Sequence, residues 1–116
     1  MEMSLQPQGA VSVLRVSNDR IDAAIAIQFK DRFRDITADV AGPVVLDLGR
    51  VTFLDSSGLG AVVAARKLLG PDRALELAAL SPAVEKVMQL TRMNTVFPIH
   101  DTVADALTAH GVAPAA

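Results

Sequence analysis

Val44-Val45-Leu46-Asp47-Leu48-Gly49-Arg50-Val51-Thr52-Phe53-Leu54-Asp55-Ser56-Ser57-Gly58-Leu59-Gly60 is the stretch that decides the fold of this chain. Its first five residues are mostly apolar and begin with β-branched side chains, the pattern of a buried strand over Val44–Leu48. Gly49 and Arg50 turn the chain, and Asp55-Ser56-Ser57-Gly58 delivers it to the start of a helix. Short polar side chains at such a start cap free backbone N–H groups. The same N–H groups and the helix dipole stabilise added negative charge. The serines are therefore caps or acceptors of a phosphate. Asp55 and Ser56 suit the capping role, and Ser57 suits a hydroxyl presented just inside the helix.

The helix that follows is expected from about Ser57 to Leu69. At roughly 100° per residue, Gly58, Ala61, Val62, Ala65, Leu68 and Leu69 form a core stripe. Leu59 and Val63 fall on the opposite side, with Gly60, Arg66 and Lys67 beside them. An aliphatic pair rimmed by charge next to a modifiable serine reads as a protein-binding patch. Packing of the pair under a neighbouring loop is the alternative. Arg66 and Lys67 also suit the negative end of the helix dipole, with or without a binding role.

The flanks follow a regular order. Residues 1–10, with Pro7 and Gly9, read as an edge strand or a loose lead-in, and Val11–Val16 as a strand. Ser17–Arg20 is a turn cluster. Helical spacing then runs through Ile21, Ile25, Phe29, Arg32, Phe33 and Ile36 to a stop at Gly42-Pro43. Beyond the central stretch, Gly70-Pro71-Asp72 ends the helix. Ala74–Ala78 reads as a strand, and Ser81-Pro82 opens a helix with the stripe Val84, Val87, Met88 and Thr91. Val96–Ile99 is a short strand or link, and Asp101-Thr102 caps a last helix over Val103–His110, closed by Gly111. Residues 112–116 read as a frayed tail. Strands alternating with helices of this length indicate an α/β fold with a partly parallel sheet and right-handed crossovers.

Composition narrows the function. The chain has 116 residues, enough for one domain with its own core, and that core must be aliphatic because the only aromatics are four Phe. A formal charge of −2 offers no footprint for nucleic acid. The absence of cysteine removes disulfide and thiolate chemistry and suits a cytoplasmic setting. Met1-Glu2-Met3-Ser4 lacks the layout of a signal peptide, and no apolar run reaches the ~20 residues of a membrane span. No catalytic residue is assigned: Gly-x-Ser-x-Gly and the phosphate-binding Gly-x-x-x-x-Gly-Lys-Ser/Thr are both missing. His100 and His110 lack metal-ligand spacing, so neither a metal nor a cofactor is expected.

Val45-Leu46-Asp47-Leu48 followed by Val51-Thr52-Phe53-Leu54-Asp55-Ser56-Ser57-Gly58-Leu59-Gly60 resembles the signature of the STAS domain family. Within that family the resemblance is to bacterial anti-sigma-factor antagonists, or anti-anti-sigma factors. Asn18-Asp19-Arg20-Ile21-Asp22 is similar to the family's turn before its first helix, with Asp19 where glycine is common. Ser81-Pro82-Ala83-Val84 and the segment from Leu90-Thr91-Arg92-Met93 to Phe97-Pro98-Ile99 extend the likeness toward the C-terminus. The resemblance implies a single STAS domain over 1–116, with its core at about 10–111. Its fold would be a small mixed sheet of four to five strands with about four helices.

It also implies a non-enzymatic partner switch. The unmodified form would bind a kinase-type anti-sigma factor and release a sigma factor or analogous target. Phosphorylation of Ser57, or as second choice Ser56, would turn it off, and a phosphoserine phosphatase would reset it. The expected docking residues are Asp22, Asp55, Ser56, Ser57 and Gly58, continuing through Leu59, Gly60 and Val63 to Arg66 and Lys67. Asp22 serves equally well as a cap on the first helix. The turn at Asp19 is expected to survive because Asp tolerates left-handed backbone. A non-switching accessory subunit of a transporter or sensory complex is the rival role for the same fold.

Overall fold

The computed structural model describes residues 1–113. The chain runs β1 (Met3–Gln8), β2 (Val11–Val16), β3 (Arg20–Ile21), α1 (Ala26–Thr37), β4 (Val44–Asp47), β5 (Phe53–Leu54) and α2 (Ser56–Leu69). It continues through β6 (Leu75–Ala78), α3 (Pro82–Leu90), a 3₁₀ turn (Met93–Thr95), β7 (Ile99–His100) and α4 (Val103–Ala109). The main sheet has the order β1-β2-β4-β6-β7, antiparallel between β1 and β2 and parallel elsewhere. β3 and β5 form a separate parallel pair. The five-stranded mixed sheet and four helices of the described residues agree with the four to five strands and about four helices that the resemblance implies.

Strand alternation sorts the side chains into two layers. Leu14 and Val16 of β2, Val44 and Leu46 of β4, and Leu75 and Leu77 of β6 pack with α1, α2 and α3 in the main core. Phe29 and Phe33 of α1 stack there with ring centroids 6.1 Å apart. The other face carries a small cluster of Val11, Val45 and Ala78, covered by Ala106, Val103 and Leu107 of α4. β4 is therefore buried on both sides, as the continuous run Val44–Leu46 requires.

Several boundaries differ from the sequence reading. Residues 3–8 form a full strand, because β1 pairs along its whole length with β2. Ile21 lies in β3 rather than in the first helix, which starts only at Ala26 with Ile25 as a cap that donates no side chain. Its spacing to Ile25 matches a helix by coincidence. The loop before the serines contains β5, too short at two residues to show a period. Val96–Ile99 resolves into the end of the 3₁₀ turn and the start of β7. Asp19 does not use left-handed backbone: the non-glycine residues with positive φ among those described are Ala79 and Arg92. Its carbonyl instead accepts from Thr52 N and Phe53 N, which fixes the turn against the strand it faces.

Candidate functional site

The serines sit where β5 hands the chain to α2, and Asp55 ties that junction together. Asp55 has extended backbone at the N-cap, and its Oδ1 accepts from Gly58 N at 2.8 Å. Its Oδ2 accepts from Ala23 N at 3.2 Å, reaching across to the segment before α1. One carboxylate thus caps α2 and ties two chain segments 32 positions apart. Ser56 is not a cap, contrary to expectation. It occupies the first helical position, and Ser57 the second, and both are exposed. Asp55 already engages the first free N–H within its reach, which leaves the serine hydroxyls unclaimed.

Asp22 lies at the same corner, half-buried. Its Oδ1 accepts from Ala24 N at 3.1 Å, and its Oδ2 accepts from Arg20 Nε at 3.3 Å. It therefore closes the turn that leads into α1 and does not cap that helix itself. Gly58 explains the closeness of the corner. A Cβ built there would lie 1.9 Å from the carbonyl oxygen of Ile21, so only glycine lets β3 and α2 meet.

The apolar patch needs correction. Leu59 and Val63 are half-buried and packed against the main core, so they are the edge of the interior and no outward pair. Leu68, assigned to the core stripe, is 47% exposed in its place. The exposed face of this corner is built by residues that sequence reasoning missed. Phe53 of β5 is 40% exposed, and the guanidinium of Arg20 from β3 lies 4.1 Å from its ring centroid. A cation over an aromatic face is a preorganised amphipathic surface. The available signal was the alternation Phe53 out, Leu54 in, hidden by the brevity of β5.

Arg66 and Lys67 are not brought to the serines. They occupy the last turn of α2, about 14 Å along the axis from Ser57 at 1.5 Å per residue. There they line an open cleft of about 690 Å³ with Arg73, Pro71, Val96 and Pro98. Gly60 is exposed on α2 with open space around it. The structure thus joins Asp22, Asp55, Ser56, Ser57 and Gly58 in one corner, adds Arg20 and Phe53, and leaves the two basic residues at the far end. The donors of this corner are carboxylates and hydroxyls without a converging third ligand, and no group among the described residues could hold a metal ion.

The STAS domain model matches residues 2–106. The chain belongs to the STAS domain family. Among similar proteins, the anti-sigma-F factor antagonist RsfB of Mycobacterium tuberculosis is 26% identical over 106 residues, covering 91% of this chain and 86% of the relative. A STAS-domain containing protein of Pseudomonas aeruginosa is 30% identical over 99 residues, covering 84% and 87%. An anti-sigma factor antagonist from Mycobacterium paratuberculosis has a crystal structure that superposes with a TM-score of 0.82 at 32% identity. That superposition covers 93% of this STAS chain and 92% of the other. No helix of the described residues is long and apolar enough to cross a membrane.

Proposed function

We propose that this STAS domain is an anti-sigma-factor antagonist that works by partner switching, with Ser57 as its phosphorylation site. The observation that carries this reading is the exposed, unengaged Ser57 hydroxyl on a helix start whose cap is supplied by a different residue. Phosphate on Ser57 adds about −1.5 to −2 charge. The N-terminal end of α2 tolerates that charge, and Asp55 keeps both of its backbone partners. The fold therefore stays as it is while the surface changes. A partner shaped for a neutral hydroxyl then meets a dianion beside Asp55 and Asp22. Like charges brought together across an interface cost several kcal/mol, enough to lower affinity about a thousandfold.

The partner is an ATP-binding, kinase-type anti-sigma factor, and a phosphoserine phosphatase restores the binding form. Curated and structural relatives named anti-sigma factor antagonists support the class of partner. Arg20 and Phe53 flank the serines and give the docking surface a cationic, aromatic border. Incubation with the cognate kinase and ATP is expected to add one phosphate, and Ser57→Ala to abolish it. Full labelling of that variant would move the site to Ser56. Ser57→Asp is expected to keep the fold and to weaken kinase binding. Recovery of transporter subunits rather than a kinase in a pull-down would favour the accessory-subunit role.

A further inference from the structure

The main sheet ends in two unequal edges. β7 closes one side with 2 half-buried residues, whereas β1 forms the other with 6, Met3-Ser4-Leu5-Gln6-Pro7-Gln8. Along an edge strand the N–H and C=O groups of successive residues point alternately toward the neighbouring strand and away from it. Ser17 N donates to Glu2 O at 2.9 Å, and Ser12 N donates away from β1, to Pro43 O at 3.1 Å. With Met3 opposite Val16 and Pro7 opposite Ser12, both bonds fix the same parity. The backbone groups of Ser4, Gln6 and Gln8 face β2, and those of Met3, Leu5 and Pro7 face outward. Pro7 therefore removes no bond from the hairpin, because its missing N–H lies on the free side.

The outward groups form a set that complements itself. They are the N–H and C=O of Met3 and Leu5 and the C=O of Pro7. When a second copy lies antiparallel about a two-fold axis at Leu5, each Leu5 N–H meets the other Leu5 C=O. Each Met3 N–H meets the other Pro7 C=O, so every outward donor of both copies is used. The gap at Pro7 falls opposite a Met3 carbonyl, at the end of the pairing where water reaches it. The side chains agree with this register. Met3 and Leu5 pack with the main core, and on that face Met3 stands opposite Pro7 of the copy and Leu5 opposite Leu5. On the other face Ser4 and Gln6 are exposed, and each stands opposite the other's counterpart. No residue from Met3 to Gln8 is charged, so no like charges meet across the axis. A full-length edge strand without charge lacks the usual guard against such pairing.

We propose that the outer edge of β1 is a self-association surface, on which a second copy of this chain pairs β1 to β1, antiparallel about Leu5. The main sheet then runs unbroken through both copies. A contact through one short strand belongs to the small, transient class of interfaces, so the dimer is reversible and set by concentration. The contact is isologous and closes on itself, and the remaining edge, β7, is too short to extend the assembly. Asp22, Phe53, Asp55, Ser56 and Ser57 all lie outside β1, so the dimer carries two docking corners. Two corners on one body raise the apparent affinity for a bivalent partner without any new contact.

The test is sedimentation equilibrium of the full chain over a dilution series, with amide hydrogen exchange at its two ends. The mass is expected to rise with concentration from 12.2 kDa toward twice that value. The Leu5 amide is expected to gain protection over the same range, about tenfold where about nine chains in ten are paired. The Gln6 amide, whose N–H already faces β2, is expected to stay as it is. Ser4→Lys combined with Gln6→Lys sets like charges opposite each other at two exposed positions, and association is expected to fall about tenfold. Ser4→Glu combined with Gln6→Glu is expected to do the same. An equimolar mixture of the two double variants is expected to restore association, which misfolding of either would not allow. A single species of 12.2 kDa at every concentration overturns the proposal. So does a dimer that both double variants leave unchanged, or a mixture that associates no better than its components.

Discussion

Gly58 and Gly60 stand two positions apart on α2 and make opposite demands on a side chain. At Gly58 an added Cβ would lie 1.9 Å from Ile21 O and 2.8 Å from Leu54 Cδ1, so the backbone of β3 must move. Gly58→Ala is expected to destabilise the fold by about 2–3 kcal/mol, the usual cost of forced overpacking. At Gly60 the same Cβ meets nothing within 4 Å. Gly60→Ala is expected to stabilise the helix by up to about 1 kcal/mol, through propensity alone. Urea denaturation of both variants checks the pair, and equal effects would contradict the close approach at Gly58. Asp55 belongs to the same scale. Asp55→Ala removes a cap and the bond to Ala23 N together, and a loss of about 1–2 kcal/mol is expected in the same melts. The motif could be read as a helix start from local chemistry. The contact that makes Gly58 necessary could not, because Ile21 is 37 positions away in the chain.

At the scale of elements, what was legible in the sequence depended on whether an end carried its own punctuation. Ser81 and Pro82 announce α3, and Ser81 Oγ does accept from Val84 N. Gly70 ends α2 with φ of 85°, as a glycine past a helix should. The end of α3 carries no such sign. Its left-handed position is filled by Arg92, at φ 58° and ψ 22°, whose N–H bonds back to Gln89 O. Thr91 then looks like one more residue of the apolar stripe, although it is the exposed C-cap. A non-glycine residue in this conformation carries a penalty of about 1 kcal/mol. Arg92→Gly is therefore expected to raise stability by somewhat less, since glycine also gains freedom in the unfolded chain. Thermal melts would show a rise of a few degrees, and a lowered midpoint would mean that the arginine side chain holds the turn. The β3–β5 pair was invisible for the opposite reason. Two-residue strands have no period to read, so the Arg20–Phe53 surface emerges only when the two are side by side.

For the whole molecule, the wheel of α2 failed instructively. It asks which residues share a face, but not how wide the covered face is. α2 is flanked closely enough that Leu59 and Val63 reach the core, while Leu68 faces out beside Lys30 and Arg34 of α1. The same logic applies to β6, where Leu75 and Leu77 share the face of the large core and all four residues of the strand are buried. Glu76 belongs to the second face, and nothing local in the sequence says that two histidines 24 and 34 positions away will meet it. The two faces are unequal. Leu46 points into the large core under three helices, and Val45, its neighbour, into the small cluster under α4; both are fully buried. Cavity cost follows how little the surroundings can collapse. The large core, fixed on every side, leaves Leu46→Ala a persistent void, and a loss of about 3–5 kcal/mol is expected. Val45→Ala removes two methyl groups beneath a short helix that can settle inward, so about 1–2 kcal/mol is expected. Urea melts of the two variants measure the asymmetry directly. A Val45→Ala penalty as large as that of Leu46→Ala would show that α4 is held as rigidly as the three helices on the other face.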